Sequence, residues 1–413
     1  MREGWENVKL GEVCELIKRG VAPKYIDEGG ICVINQKCIR DHSINLKPAR
    51  RHNLVAKAIN PERCIRIADV LVNSTGTGTL GRVAQVRSKP EEPTTVDTHV
   101  TIVRPKLDML YPDFFGYMLI KIEDEIADSG EGASGQTELA RSRLENNFKV
   151  TYPTSIPEQK RIVAILDEAF AGITQAVTNA EKTLANSHEL FESYLNNIFT
   201  QRGTGWNRTT IGGLCKKVEY GSSLKSKPEG KVPVLRMGNI QNGRINWNKL
   251  VYTDNSKEIS KYLLKKNDVL FNRTNSAELV GKTAIYDGER PAIFAGYLIR
   301  IHRKKDLINA DFLNFYLNSI SAKEYGKIVM SRSINQANIN GTKLKQYPIS
   351  IPALNTQKKI VEGLHSLRIE TQHLESIYQK KLTALAELKQ SILQKAFAGE
   401  LTSDVVYQQV VNG

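Results

Sequence analysis

The chain is written twice. Trp5, Leu10, Cys14 and Gly20 recur as Trp206, Ile211, Cys215 and Gly221. The register continues through Ile44-Asn45 and Ile245-Asn246, Asp69-Val70-Leu71 and Asp268-Val269-Leu270, Gly81 and Gly281, and Asp113-Phe114 and Asp311-Phe312. It ends at Gln159-Lys160-Arg161-Ile162-Val163 against Gln357-Lys358-Lys359-Ile360-Val361, with offsets between 198 and 201 throughout. Solenoid units are far shorter than this period, so the duplication is of a whole domain. With 413 residues, each copy has enough chain to bury its own core. Two similar but unequal domains imply two similar but unequal targets.

The sequence excludes some settings. No stretch is apolar enough to cross a membrane, and the first ten residues, MREGWENVKL, lack the apolar core of a signal peptide. A cytoplasmic location is the expectation. The five cysteines, Cys14, Cys32, Cys38, Cys64 and Cys215, form no CxxC pair, so neither a disulfide framework nor a zinc site is expected.

Charge is unevenly placed. Residues 201 to 352 carry 26 basic against 11 acidic side chains, a net +15, whereas residues 1 to 156 carry 22 against 21. The first half is itself polarised, with 16 basic and 9 acidic groups over residues 1 to 90 and 6 and 12 over 91 to 156. A domain this basic calls for a polyanionic partner, and nucleic acid fits best.

Each copy is followed by a different texture. From Ser155-Ile156-Pro157-Glu158, apolar residues recur every three or four positions at Ile162, Leu166, Ala169, Ile173, Ala176, Ala180, Leu184, Phe191, Tyr194 and Ile198. Ser155 with Glu158 has the spacing of a capping box, and Pro157 is tolerated in a first turn. The spacing predicts a helix of about 40 residues, about 60 Å long. Ile360, Leu364, Leu367, Leu374, Tyr378, Leu382, Leu385, Leu388, Ile392 and Ala396 repeat the pattern before Gly399. Both seams are narrow, as in coiled coils. The simplest arrangement is two long antiparallel helices with a domain at each end, in pseudo-twofold relation.

Within the copies, Val8–Leu10, Ile31–Ile34, Val70–Val72, Arg82–Val86 and Val100–Val103 read as strands, as do Val232–Leu235, Val269–Phe271, Thr283–Tyr286 and Leu298–Ile301. Helix-like runs follow at Asp113–Asp124 and Asp311–Ser321. The fold class is therefore α+β, two tandem domains with mixed, mainly antiparallel sheets. The expected divisions are 1–156, the central helix 157–200, 201–352, and the C-terminal helix and tail 353–413.

Catalytic motifs fail one by one. Gly76-Thr77-Gly78-Thr79-Leu80-Gly81 spells GxGxxG, but an alternating strand follows where a dinucleotide site needs a helix, so it reads as a Gly-rich hairpin. Gly281-Lys282-Thr283 resembles the end of a phosphate loop, yet the first glycine of that motif is replaced by Ser276. There is no [DN]PP[FY] and no HExxH, and the seven histidines are scattered.

Taken together, the tandem halves, the Asp-Val-Leu strands, the Ser134-Gly135-Gln136 and Asn335-Gln336 turns, the Pro157-Glu158-Gln159-Lys160-Arg161-Ile162 helix start and the closing run from Leu388 to Leu401 resemble specificity subunits of type I restriction-modification systems. The second helix lacks the Pro-Glu before Gln357, and the first lacks the Gly-Glu-Leu close. The resemblance implies two target-recognition domains, each reading one half of a split, asymmetric double-stranded DNA site, with the helices fixing the gap. It implies two modification subunits carrying S-adenosylmethionine, and restriction subunits using ATP and magnesium. The chain itself is then non-catalytic, without cofactor or metal.

For DNA contact, loops shared by both copies and rich in donors are the candidates, since Arg and Lys suit guanine and Asn and Gln suit adenine. In the first copy these are Lys18, Arg19, Asn35, Lys37, Arg40, Arg50, Arg51, Thr75, Thr77 and Gln136. In the second they are Lys225, Lys227, Arg236, Asn239, Arg244, Asn272, Arg273, Asn275, Arg332, Asn335 and Gln336. Most such hydrogen bonds go to the DNA backbone. Two rival classes stay open at this point: an atypical DNA nuclease or methyltransferase, which needs clustered carboxylates or a cofactor loop, and a tandem nucleic-acid-binding module outside restriction-modification.

Overall fold

The structure, a computed structural model, describes residues 2–131, 137–201, 205–334 and 336–402. The chain divides into two compact units, Met1–Asn179 with Lys381–Gly413, and Ala180–Lys380. The division falls inside both long helices, Ile156–Thr200 with 45 residues and Leu354–Phe397 with 44. Each is about 65 Å long. Among the described residues no helix is long and apolar enough to cross a membrane.

The first unit is built on a four-stranded antiparallel sheet in the order Cys14–Arg19, Val100–Pro105, Val70–Asn73, Val83–Gln85. Side chains alternate across a strand, so the two faces serve two cores. Val70, Val72, Val83 and Val103 face the helices with Phe114, Phe115, Ile162, Leu166 and Phe397. Leu71, Ala84 and Ile102 face the opposite way, onto Ile34, Ile39 and Val96. Burial on both faces explains why Val70–Asn73 is an unbroken buried run. A second sheet, Thr94–Val96, Ile31–Ile34, Arg50–His52 and Tyr25–Ile26, mixes one parallel pair with antiparallel ones.

The second unit repeats this scheme. Cys215–Tyr220, Leu298–Arg303, Val269–Asn272 and Thr283–Ile285 follow the same order, extended by Gly243–Ile245 and Ile240–Gln241 to six strands. Val269 and Phe271 face the helical core, while Leu270 and Ala284 face Leu235, Ile240 and Phe294. The smaller sheet is Val251–Thr253, Val232–Leu235 and Ile293–Phe294.

The residues shared by the copies are those the fold needs twice. A Cβ on Gly20 would lie 2.0 Å from the Val96 carbonyl oxygen, and one on Gly221 2.2 Å from that of Phe294, so backbone passes too close for any side chain. Asp69 and Asp268 each close a turn by accepting from the backbone N–H three residues earlier, Arg66 at 2.7 Å and Lys265 at 2.9 Å. Gln159 and Gln357, at the helix starts, are fully buried. Gln159 Oε1 accepts from Tyr111 N–H, and its amide donates to the Met109 and Pro153 carbonyls at 2.9 and 2.8 Å. Gln357 does the same with Asn309 N–H and the Leu307 and Pro352 carbonyls. Each glutamine thus ties the long helix to two loops, and removing it leaves the buried Pro153 or Pro352 carbonyl without that donor, at about 1–3 kcal/mol, besides two partly buried backbone partners.

The long helices run antiparallel within each unit. In the second, His188 meets Glu375 at 3.0 Å and Phe191 lies under the Arg368 guanidinium at 4.9 Å, so numbers rise on one helix as they fall on the other. In the first, Lys389 sits 5.3 Å over Phe170. At the offset of 198, Phe170 corresponds to Arg368 and Lys389 to Phe191. The cation–π pair is kept in both units, with ring and cation exchanged between repeat-equivalent positions, so that the ring lies on Ile156–Thr200 and the cation on Leu354–Phe397 each time.

Some local expectations needed correction. The first strand is Trp5–Lys9, not Val8–Leu10, because Leu10 begins a 3-10 turn; it pairs with an unforeseen strand, Lys149–Pro153. The run Asp113–Asp124 is two helices, Pro112–Lys121 and Glu123–Asp128, broken at Ile122. Asp311–Ser321 likewise divides at Ser319, whose hydroxyl accepts from Ala322 N–H and caps the following helix Ile320–Val329.

Candidate nucleic-acid interface

In each unit the strand Val70–Asn73 or Val269–Asn272 runs into a loop that its own backbone closes. Asn73 N–H donates to Arg82 O and Gly81 N–H to Asn73 O, and Asn272 and Gly281 make the same pair of bonds with Lys282 O and Asn272 O, all at 2.8–2.9 Å. Gly81 and Gly281 have φ of +87° and +93°, which only glycine adopts without strain. The GxGxxG run therefore turns one strand into the next antiparallel one, with no helix opening at its end.

In the first unit, candidate readers gather around this loop. Asn73 donates to Gln36 O at 3.1 Å, seating Asn35, Gln36 and Lys37 beside Thr75. Asn35 caps that turn by accepting from Lys37 N–H and donating to Pro48 O. Thr75 Oγ1 lies 2.6 Å from His99 Nδ1, and its backbone bridges to Glu138. Arg19 joins the group by donating to the Glu138 carboxylate and, at 2.5 Å, to Leu139 O. Lys37 and Thr77 are exposed. Gln136 lies outside the described residues.

Other candidates lie apart from this group. Lys18 is the strand neighbour of Arg19, points to the other face and pairs with Glu62 at 3.1 Å. Arg51 is held by both Glu92 oxygens and the Gly29 and Gly30 carbonyls. Arg50 stacks 3.5 Å from the centre of the Tyr25 ring. Arg40 is exposed, 3.6 Å from Asp41.

In the second unit the loop grows into a three-stranded sheet absent from the first unit's described residues. Thr274–Asn275 pairs with Gln336–Asn338, which pairs with Ser331–Ser333. Candidates Asn275, Arg332 and Gln336 come together on it, and Arg332 and Gln336 are exposed. Arg273 enters at its root, donating to Gly296 O at 3.1 Å and stacking 4.8 Å over Tyr220. Lys343, not foreseen from sequence, donates to Ser331 Oγ at 2.7 Å. Asn335 lies outside the described residues.

Two candidates are corrected here. Asn239 and Asn272 are 3% and 0% exposed and cannot face a ligand in this conformation. Asn239 donates to Asn246 O and Asn248 O and accepts from Arg236 N–H, so it shapes the hairpin beside it. Asn272 donates to Leu279 O and braces the loop. Arg236 donates to Lys249 O, exposed Arg244 lies 3.8 Å from Asp311, and Lys227 pairs with Asp254 at 3.3 Å. Lys225 is exposed.

The second unit also holds a charged cluster on the strands Cys215–Tyr220 and Leu298–Arg303. Glu219 accepts from the Arg300 guanidinium, lies 2.9 Å from His302 Nε2 and 3.3 Å from Lys217 Nζ, and Arg300 also reaches Asp268 at 3.2 Å. Burial alone pushes the Glu219 carboxyl up, but hydrogen bonds from Arg300 and His302 prevail and hold it at about 2. A depressed carboxyl stabilises the fold fully above its unfolded value, and that contribution fades as pH falls toward the folded one. Glu219→Gln should therefore destabilise the second unit by roughly 2–3 kcal/mol at pH 6, with the difference shrinking between pH 4.5 and 2. Urea unfolding of both chains across that range measures it. Among the described residues, no three His, Cys, Asp or Glu side chains are placed to hold a metal ion.

Two copies of one α+β domain, each presenting a loop cluster of basic and amide side chains, define a class of DNA-specificity proteins. Residues 2–183 and 204–384 each match the type I restriction modification DNA specificity domain, and the chain belongs to that family. It is 29% identical over 196 residues to a putative type I restriction enzyme MjaX specificity subunit from Methanocaldococcus jannaschii, covering 46% of this chain and 45% of that one. It is 30% identical over 238 residues to the type I restriction enzyme StySPI specificity subunit from Salmonella potsdam, covering 56% and 48%. The chain spans about half the length of the curated relatives it matches. Its fold is similar to that of a chain solved in work on complex assembly and conformational transition of the type I R-M system, with TM-score 0.78, 19% identity and coverage of 97% and 99%. The HsdS subunit from Thermoanaerobacter tengcongensis gives TM-score 0.61 at 19% identity, covering 97% and 98%.

Proposed function

We propose that the chain is the non-catalytic specificity subunit of a type I restriction-modification complex. Residues 1–156 and 201–352 each read one half of a bipartite, asymmetric double-stranded DNA site. The helices in 157–200 and 353–413 set the gap and receive two modification subunits. S-adenosylmethionine, ATP and magnesium belong to the modification and restriction partners.

The observation that carries this reading is one scaffold built twice with different loops on it. Gln159 and Gln357, Asp69 and Asp268, and Gly20 and Gly221 do the same structural work. The loops after Asn73 and Asn272 differ in length and sequence, and where the first makes only the isolated bridge Thr75–Glu138 the second pairs Thr274–Asn275 in a ladder with Ala337 and Asn338. Such a molecule holds two readers in common frames while letting each read its own sequence.

The test is to co-express the chain with its modification subunits and sequence methylated adenines in the host DNA. A split motif is expected, together with co-purification of about two modification subunits per chain. Inserting four residues between Ala176 and Ala180 lengthens the central helix by about 6 Å. With B-DNA rising about 3.4 Å per base pair, the gap should grow by one to two pairs while the half-sites keep their bases. Changed half-site bases at an unchanged gap would sink the ruler. A chain that binds nucleic acid but recruits no methyltransferase would favour a binding module outside restriction-modification.

A further inference from the structure

The hairpin at the edge of the second unit's three-stranded sheet carries a side chain that the fold does not use. Ser331, Arg332 and Ser333 pair with Asn338, Ala337 and Gln336, so the two strands are joined through positions 334 and 335. The root of this hairpin is apolar and buried, with Met330, Ala337 and Ile339 at 9%, 1% and 0% exposure. Ile334, at its tip, is 99% exposed. Tight hairpin connections favour Asn, Gly and Asp, and a β-branched residue there is poorly suited to the backbone. Neither core packing nor turn chemistry calls for an isoleucine at this position.

Its neighbours indicate what covers it. Arg332 and Gln336 are exposed beside it, Lys343 braces Ser331, and the surrounding residues 201 to 352 carry +15. The sheet is held to the loop after Asn272 by pairing with Thr274–Asn275 and by Asn338 donating to Thr274 Oγ1 at 2.8 Å. A two-stranded ribbon of this kind fits the major groove, and the one apolar feature on a major-groove base edge is the methyl group of thymine. At the offset of 200 set by Gln136 and Gln336, the other copy has Ser134 where this one has Ile334. In sequence, then, an isoleucine in one copy stands against a serine in the other, a difference expected of two readers with different targets.

We propose that Ile334 is a base-reading residue, placing its side chain against a thymine methyl group in the second unit's half-site. The inference rests on the DNA-specificity reading above. It is tested with the full chain on duplexes containing the half-site defined by methylome sequencing, in which each thymine is replaced in turn by uracil, which lacks the methyl. The wild-type chain should lose about fourfold in affinity at one position, the worth of one buried methyl group. Ile334→Ala should lose a similar factor on the thymine duplex and show no further loss at that uracil. Since the side chain is solvent-exposed, the variant's fold should be intact, checked by an unchanged unfolding midpoint. Uracil tolerance at every position in the wild type, or an equal loss by Ile334→Ala on thymine and uracil duplexes, overturns the base contact. So does weakened binding of a modification subunit with DNA affinity unchanged. A wild-type chain that prefers no half-site over scrambled duplex overturns the specificity reading itself.

Discussion

Replacing Asp69 by alanine is expected to destabilise the first unit by about 3–5 kcal/mol, the usual cost of leaving one member of a buried ion pair alone. Asp69 is fully buried and Arg104 is 5% exposed. Arg104 Nε donates to Oδ1 at 2.7 Å and Nη2 to Oδ2 at 2.8 Å, a two-pronged pair. The Arg66 N–H loses its acceptor in the same step. The equivalent change in the second unit, Asp268→Ala, should cost only about 1–2 kcal/mol. There Arg300 keeps Glu219 as a partner, and the Asp268 side chain is already 20% exposed. Hydrogen exchange resolves the two units in one experiment. Amides of Val70–Asn73 should exchange about a hundredfold or more faster in Asp69→Ala, with those of Val269–Asn272 unchanged. Equal acceleration from both substitutions would show that the buried pair contributes no more than the partly exposed one.

DNA affinity should fall steeply with salt, and most of that dependence should come from the second unit. A side chain that neutralises one phosphate adds about 0.9 to the slope of log affinity against log salt, and truncating it takes that amount away. Lys225, Arg332 and Lys343 belong to the region of net +15, whereas Lys37, Arg40 and Arg50 belong to one of net +1. Replacing the first three by alanine in the full chain should flatten the slope by up to about 2.7, and replacing the second three by clearly less. If six to ten phosphates are neutralised, the unaltered protein loses about 10³–10⁵ in affinity between 50 and 200 mM salt. Titrations of the three proteins over that range give the slopes directly. Equal flattening by the two triple variants would mean that net charge does not predict which domain grips the backbone.

Local rules account for what is readable without coordinates. The fully apolar strands at Val70 and Val269 and the long three-four periodicities are legible because burial imposes a period on the sequence wherever it occurs. The paired Gly20 and Gly221 are visible as repeats, although their steric reason, a carbonyl about 2 Å from a would-be Cβ, belongs to strands distant in sequence. The break at Ser319 escapes such reading because a serine inside a helical pattern becomes a cap only when its hydroxyl meets the next turn's N–H.

The candidate interface is legible in kind more than in place. Loops rich in Arg, Asn and Gln stand out, but residue type does not say which way a side chain turns. Asn239 and Asn272 resemble base readers and are buried loop braces. Lys18 and Arg19 are adjacent in sequence and opposite in space. Arg51 spends its guanidinium on Glu92.

By itself, the sequence determined that there are two copies of one α+β domain, two long helices, a strongly basic second half and no recognisable catalytic motif. All of these are properties of composition and period, which survive without coordinates. Only the tertiary structure decided that Thr274–Asn275 and Ser331–Asn338, more than fifty residues apart, form one small sheet that gathers Asn275, Arg332 and Gln336. It alone separated Ile334 from the buried Ile339 five residues on. The physical reason is that strand pairing and side-chain direction depend on which distant backbone supplies the hydrogen-bond partners, and no local pattern records that choice.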